Sequence, residues 1–416
     1  MATLLKPTDE DQVREAVAGA LAAGTPLEVV AGGSKRGFGR ATAPSRTLDI
    51  SALTGITLYE PDELVVTARA ATPLAEIAAT LDEHHQMLAF EPADLGPLLG
   101  APAAAATIGG VFACNLAGPG RIRHGAARDH LLGFRAVSGR GEPFKSGGRV
   151  VKNVSGYDMC KLLAGSFGTL AVMTEVSFKV LPVPEKTRTV LVMGADEAHG
   201  VAAMTRALTG PADVSAAAHL PAEIAARSGV SYVAEAASSV TALRIGGPGP
   251  SAEVRCAALR TALGEFGATE ELHGHNSGRL WREVAEVAPL LESGENGESA
   301  NGGEAAVWRV SVPPASGAAV AAAIRSGLEC ELYYDWGGGL IWVRVASGTD
   351  AASGAVRGAI EQCGGHATLI RAGDETRRTV PVFQPQDAAL AALTARIKDG
   401  FDPNGILNPG RMYEGV

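Results

Sequence analysis

The chain has 416 residues, 46% of them hydrophobic, and carries 36 basic against 45 acidic side chains for a net charge of −9. That length predicts two domains or three, with apolar content enough for a large core, and the acidic balance argues against a nucleic-acid groove. With no run of 18 apolar residues and only Met1–Pro7 ahead of a helical pattern, neither a transmembrane segment nor a signal peptide is expected.

In chain order, Asp9–Ala23 reads as a helix, with Thr8 or Asp9 as N-cap and Gly24 past its end. Leu27–Ala31 is a strand running into VVAGGSKRGFG, Val29–Gly39. Short strands follow at Arg46–Ile50, Ile56–Tyr59 and Leu64–Ala68, then a helix Leu74–His84 opened by Thr72-Pro73. Further strands are expected at Leu131–Val137, Glu142–Lys145 and Ala171–Val180, and Leu181-Pro182-Val183-Pro184 closes a first domain. The Ala-rich middle holds Val307–Val312, Gly317–Ser326, Glu329–Trp336, Leu340–Val345, Thr349–Gln362 and His366–Arg371, which read β-α-β-β-α-β, the ferredoxin-like unit. A weaker version spans Thr187–Gly264: a strand Arg188–Met193, a helix to Leu208, strands near Val214–Leu220 and Val240–Ile245, and a helix Ala252–Phe266. Glu292–Glu304 is polar apart from alanine and is expected to be a disordered loop. A helix Asp387–Lys398 precedes FDPNGILNPGRMY, Phe401–Tyr413, whose Pro-Asn-Gly and Asn-Pro-Gly triplets favour turns.

Chemistry concentrates between Thr107 and Glu175. In TIGGVFACNLAGPGR, Gly109, Gly110, Gly118 and Gly120, with Gly125 just beyond, remove Cβ atoms and permit positive φ, so that main-chain amides can converge on an anion. In the earlier loop, Gly32, Gly33 and Ser34 offer amides and Lys35 or Arg36 adds charge, although an ordinary strand–turn connection reads equally well. A planar, pyrophosphate-bearing cofactor is the natural occupant. No Gly-Lys-Ser/Thr makes this a Walker loop, and no G-x-G-x-x-G sits at a strand-to-helix turn. AGSFG has Ala164 where a nucleophile elbow needs glycine, which sets a hydrolase aside.

The ordered set VVAGGSKRGFG, TIGG with the following Asn115, RIRHGAARD, GGRVVKNVSGYD, GSFGTL and TEV resembles the FAD-binding domain of the vanillyl-alcohol oxidase / p-cresol methylhydroxylase flavoprotein superfamily. Within it, the chain is similar to the FAD-binding subunits of bacterial glycolate oxidases over residues 1–185, and again over Arg377–Tyr413. The resemblance implies an α+β fold: a two-part FAD-binding domain of the p-cresol methylhydroxylase type, 1–185 with the tail 375–416 returning to it, and a ferredoxin-like α+β cap, 186–374. It implies FAD held by Gly32, Gly33, Ser34, Lys35, Pro92, Thr107, Ile108, Gly109, Gly110, Asn115, Gly118, Arg121, Tyr157, Asp158, Gly168, Thr169, Leu170 and Asn408. Local capping stands beside direct contact for Tyr157 and Asp158, and a purely structural tail beside a flavin-approaching Asn408. A β-branched or charged residue at Gly109 or Gly110 is expected to expel the cofactor.

The first glycine loop contains no histidine, which implies noncovalent FAD. Cys114, Cys160, Cys256, Cys330 and Cys363 form no C-x-x-C pair, so iron–sulfur clusters are not expected in this chain and a reduced, cytoplasmic compartment fits. His273 and His275 could bind metal from a strand or simply mark a solvated strand end, and no metal site is expected. The H-x-G-D-G-N-x-H-like cluster of the family's catalytic members is missing, and no catalytic residue is assigned; Arg282, Arg377 and Arg378 are candidates to hold a carboxylate. The resemblance therefore implies a subunit of a glycolate-oxidising complex, with a second flavin-containing subunit and an iron–sulfur subunit as partners and a small 2-hydroxy acid as substrate. Any inner-membrane association would come through those partners. The alternatives are a self-sufficient FAD-dependent 2-hydroxy acid or alcohol dehydrogenase and a noncatalytic assembly subunit in which flavin is structural.

Overall fold

The computed structural model describes residues 3–149, 156–291, 305–346 and 348–416. The segment Glu292–Glu304, read as disordered, and residues 150–155 of GGRVVKNVSGYD lie outside the described residues. Two compact units divide the chain: Met1–Leu116, Gly125–Pro182 and Pro381–Val416 form one, and Ala117–His124 with Val183–Val380 the other. The short stretch from Ala117 to His124 thus leaves the unit on either side of it.

In the first unit, the helix Glu10–Ala22 starts where Asp9 accepts the Gln12 amide at 2.8 Å. It buries Val13, Val17 and Ala20 along one face. Strands β1 (Thr3–Leu5), β2 (Leu27–Val30) and β3 (Arg46–Asp49) make a parallel sheet in the order β1-β3-β2. Strands β4 (Ile56–Glu60), β5 (Val65–Arg69), β7 (Leu131–Ser138), β8 (Pro143–Gly147) and β9 (Ala171–Lys179) make an antiparallel one, β4-β5-β9-β7-β8, and the two-residue β6 (Gln86–Met87) pairs with β10 (Leu181–Pro182). The C-terminal helix Ala388–Phe401 leads into a tail that lies against β2: the Leu27 amide donates to Ile406 O at 2.7 Å and the Asn408 amide to Leu27 O at 3.0 Å.

The second unit is a single antiparallel sheet of eight strands. They are β11 (Lys186–Met193), β12 (Ala216–Leu220), β13 (Val240–Gly247), β14 (Ala268–His273), β15 (Ala306–Ser311), β16 (Cys330–Asp335), β17 (Leu340–Val345) and β18 (His366–Arg371). Their order, β14-β11-β13-β12-β16-β17-β15-β18, is two ferredoxin-like halves set edge to edge. Each half runs β-α-β-β-α-β, with helices Glu197–Leu208 and Gly249–Leu263 in the first and Gly317–Gly327 and Ser353–Gly358 in the second. The first half is a full repeat because LHGHNSGRLW divides between β14, which ends at His273, and a helix Gly274–Ala285. That separates His273 from His275, and among the described residues no three metal-ligating side chains gather. The expected helix Thr349–Gln362 is shorter, Ser353–Gly358.

The sheets of the two halves join at β12 and β16, where His219 stands opposite Tyr334. His219 is fully buried, shares a 2.8 Å hydrogen bond with Thr241 Oγ1, and has no partner for Nε2 among the described residues. Burial pushes its pKa down to about 4, against the weaker pull of Asp196. Between pH 4 and the ordinary value near 6.5, the unfolded chain binds the proton that the folded one refuses. Stability is therefore complete above pH 6.5 and lost as pH falls toward 4, by up to about 3 kcal/mol from this group. Denaturant unfolding from pH 7 to 4.5 should show a pH slope that is flattened in His219→Gln; equal slopes would remove His219 as the cause.

Candidate cofactor site

A cleft in the first unit lies where β2 runs out into Ala31–Arg36 and faces the turn at Thr107. Gly32, Gly33, Ser34, Lys35, Thr107, Gly109, Gly110, Gly168 and Asn408 line it, all expected from the sequence. Ala113, Phe167, Val172 and Met173 supply an apolar wall.

The TIGG segment is not the loop the sequence suggested. Thr107 is extended, Ile108–Cys114 is helical, and Asn115 ends the helix in the left-handed region at φ 49°. Gly109 and Gly110 consequently do not need positive φ, and neither do Gly118 and Gly120; Gly125 does, at 86°. What Gly109 provides is space. A Cβ there would sit 2.7 Å from both the Cβ and the carbonyl oxygen of Ala70, and the Gly109 amide already donates to that oxygen at 2.8 Å. At Gly32 a Cβ would collide with the Ala105 carbonyl. Gly110 differs: a Cβ would meet Thr107 Oγ1 at 3.2 Å and Lys35 Nζ at 3.5 Å, so its bare face borders the cleft.

Lys35 is the charge of the site. Its ammonium donates to Ser34 Oγ at 3.0 Å, and burial pushes its pKa below the usual lysine range, with Cys114 and Asp94 opposing. A lysine partly stripped of water beside a bare glycine, with no carboxylate in ion-pair contact among the described residues, fits an anionic ligand. Arg36, by contrast, is turned to Glu28, with Nε–Oε1 at 3.0 Å and Nη2–Oε2 at 2.5 Å. The pyrophosphate of a dinucleotide suits this donor set, and the apolar wall suits a planar ring.

The tail ties the site together. Asn408 accepts the Val29 amide at 2.9 Å and donates to Phe167 O at 2.8 Å, so its side chain is bonded at both ends to structural partners while bordering the cleft. Arg411 Nη2 donates to the Lys35 and Arg36 carbonyls, both at 2.9 Å. Sequence reading missed Glu28, Phe167 and Arg411; the last two stood inside GSFGTL and NPGRMY, where only their neighbours were taken up.

The remaining expected residues lie elsewhere. Ile108 is buried and donates its amide to Thr72 O. Asn115 Oδ1 accepts the Arg128 amide at 3.0 Å. Thr169 is buried with Oγ1 donating to Ser166 O at 2.8 Å, and Leu170 is core. Pro92 is outside the cleft lining. Asp158 caps Met159–Leu163 by accepting the Lys161 amide, the capping role left open for it, and Tyr157 is 91% exposed. Gly118 and Arg121 belong to the second unit, where Gly118 O accepts from Trp336 Nε1 at 3.1 Å and the Arg121 guanidinium lies 4.5 Å over the Trp336 ring.

Residues 1–147 match a family model described as FAD binding domain. The chain is 33% identical over 414 residues to "Glycolate oxidase subunit GlcE" of Escherichia coli (strain K12), with 99% of each chain covered. It is 38% identical over 87 residues to "Glycolate oxidase subunit GlcD" of Bacillus subtilis (strain 168), a stretch of 21% of this chain and 18% of that one. Among solved structures, p-cresol methylhydroxylase superposes with a TM-score of 0.70 at 15% identity, over 98% of this chain and 88% of that one, a likeness of fold.

Proposed function

This chain belongs to the family of the glycolate oxidase subunit GlcE, and from that premise we propose that it serves a complex oxidising glycolate to glyoxylate, its flavin passing electrons toward an iron–sulfur subunit. The carrying observation is similarity along the whole length to a subunit of that enzyme. The chain is an FAD-dependent oxidoreductase of the two-domain p-cresol methylhydroxylase type and is related to subunits of a multi-subunit assembly. Among the described residues no helix is long and apolar enough to cross a membrane.

FAD, when bound, supplies two-electron chemistry on substrate and transfer to an acceptor. In our reading, Lys35 neutralises pyrophosphate charge, Gly110 and Gly33 let phosphate oxygens approach main chain, and Thr107 and Ser34 offer hydroxyls. Ala113, Phe167, Val172 and Met173 exclude water from one side of the ring system. Arg411 holds the Lys35 turn in shape.

Co-expression with a second flavin subunit and an iron–sulfur subunit, followed by anaerobic mixing with glycolate, tests the proposal. Bleaching of flavin and then of iron–sulfur absorbance only in the full assembly is the expected result. Rapid glycolate turnover by the isolated chain with a dye acceptor would favour a self-sufficient dehydrogenase, and flavin in this subunit that never reduces within the active assembly would favour a structural role.

No histidine lines the cleft among the described residues, so one FAD per chain should come off with acid or heat. Cys114 is the lining thiol that could form a link, and flavin remaining with acid-precipitated protein would point to it.

A further inference from the structure

Of the three arginines the sequence offered for a carboxylate, Arg377 pairs with Asp374 at 2.6 Å and Arg378 lies 3.6 Å from Glu375, while Arg282 belongs to the helix Gly274–Ala285. An uncovered surface lies at the C-terminal helix of the first unit. Of the fourteen residues of Ala388–Phe401, Lys398 alone is buried. The first eight, AALAALTA, carry no charge, and Leu390 and Leu393 are 47% and 43% exposed. With Ile397 they stand at i, i+3 and i+7, one stripe of the helix. A helix this short is marginal in water unless its apolar face is packed. This one is tied to its unit chiefly at the C-terminal end. There Lys398 is held inside by Thr169 O and Asp402, and Phe401 packs on Phe144 with ring centroids 5.9 Å apart. Arg140, on the turn between β7 and β8, donates to the carbonyls of Gly400 at 3.1 Å and Asp399 at 3.3 Å.

We propose that this stripe docks a companion subunit of the assembly, which takes the helix into an apolar groove rimmed with carboxylates. That the occupant is a companion subunit rests on the proposed function; the surface rests on the helix itself. Area decides against the helix acting alone. Fourteen residues make a rod about 21 Å long and roughly 10 Å across, an outline of about 200 Å² on one side, whereas a stable partner covers roughly 800 Å² per side. The surface continues past the Arg140 turn. A Cβ at Gly141 would stand 3.5 Å from Ala18, so the end of the helix Glu10–Ala22 adjoins it, with Ala18, Gly19 and Ala22 exposed and uncharged. Charge decides against a second copy. Arg140 and Arg396 are exposed and make no ion pair among the described residues. They outnumber Asp399, the one exposed carboxylate beyond the capping Asp387, so the patch runs positive on a chain of net charge −9. Patch against patch would set like charges together, and patch against another face of a copy would propagate into a filament. A groove with carboxylates at its rim meets neither obstacle, and anchors at i, i+3 and i+7 suit a helix laid in a groove. Two arginines are too few to hold an anionic lipid surface, which takes a basic cluster.

The test is co-expression of the full, tagged chain with a second flavin subunit and an iron–sulfur subunit. Wild type should carry a companion through purification. Leu390→Gln with Leu393→Gln, which keeps helix propensity, should cut that yield tenfold or more with FAD content and melting temperature unchanged. Arg396→Glu should cut it several-fold, and Val254→Ser, at an exposed position in the second unit, should change nothing. Amide hydrogen exchange gives a readout that needs no variant: residues 388–397 should exchange at least tenfold more slowly in the assembly than in the isolated chain. A wild-type chain that retains no companion, undiminished co-purification of the leucine variant, or unchanged exchange would each overturn the surface. So would a wild-type dimer that the leucine variant dissolves, or sedimentation with phosphatidylglycerol vesicles that it abolishes. Failure of the surface is distinct from failure of the functional reading. An assembly that oxidises glycolate and forms equally well with the leucine variant refutes the surface alone, whereas an assembly inert toward glycolate that still needs Leu390 and Leu393 refutes the reading alone.

Discussion

Replacing Asp402 by alanine should destabilise the protein by about 3–5 kcal/mol, the range for breaking a buried ion pair from one side. Asp402 is 1% exposed and Lys398 2%. The carboxylate accepts Lys398 Nζ at 2.7 Å, the Ile406 amide at 2.9 Å and the Leu407 amide at 2.7 Å, and the ammonium donates further to Thr169 O at 2.6 Å and Leu407 O at 3.0 Å. Loss of the carboxylate leaves a buried ammonium and two amides short of an acceptor, each a penalty in its own right. The damage should be directional. The tail from Ile406 to Arg411 carries Asn408 and Arg411, which hold β2, Phe167 and the Lys35 turn, so FAD affinity should fall with stability. Denaturant unfolding and limited proteolysis C-terminal to Phe401 are the measurements. Lys398→Met with Asp402→Leu together should cost less than Asp402→Ala alone, because no charge is stranded. A single-variant loss below about 1 kcal/mol, or a double variant worse than the single, would show that the pair is not the clamp.

The second large effect separates two adjacent glycines. Gly110→Val should yield stably folded protein that has lost most of its FAD, whereas Gly109→Val should be destabilised and melt at a clearly lower temperature. In a helix, valine in place of glycine changes intrinsic stability by only about 0.5 kcal/mol, in valine's favour. The Gly110 Cβ meets nothing closer than 3.2 Å, so the branched methyls extend into the cleft beside Lys35, where the phosphates would lie. At Gly109 the same Cβ meets the Ala70 main chain, which cannot give way without disturbing the bond between the Gly109 amide and Ala70 O, an overpacking cost of about 1–3 kcal/mol or more. Thermal melting of the apoprotein and FAD titration by fluorescence quenching distinguish them. Gly110→Val purified with full flavin would misplace the cofactor; Gly110→Val that melts like Gly109→Val would make its role structural.

The local part of this protein was legible in its residues. The strand ending at Val30 and the glycines after it, the alternating apolar strands around Thr174, and the β-α-β-β-α-β order of 306–371 are patterns that short-range sterics and burial periodicity write directly into sequence. The cleft residues Gly32, Gly33, Ser34, Lys35, Thr107, Gly109, Gly110, Gly168 and Asn408 came from the glycine-rich motifs together with the family resemblance those motifs carry. The duplication was half hidden for a physical reason. Strand β14, ATEELH, is an outermost strand in which only Leu272 is buried, so little apolar alternation survives, and the helix after it opens on Gly-His-Asn-Ser, residues that favour turns. What only the tertiary structure decided is what depends on partners far away in sequence. Gly109 and Gly110 look alike until the Ala70 main chain is found behind one and the Thr107 and Lys35 side chains at the cleft behind the other. Arg411 becomes part of the cofactor turn because folding brings it to carbonyls 376 and 375 residues away. Arg121 stands amid a cofactor motif, yet its segment packs in the other unit, since a glycine-rich stretch specifies freedom of backbone and leaves its destination to the surfaces that bury it.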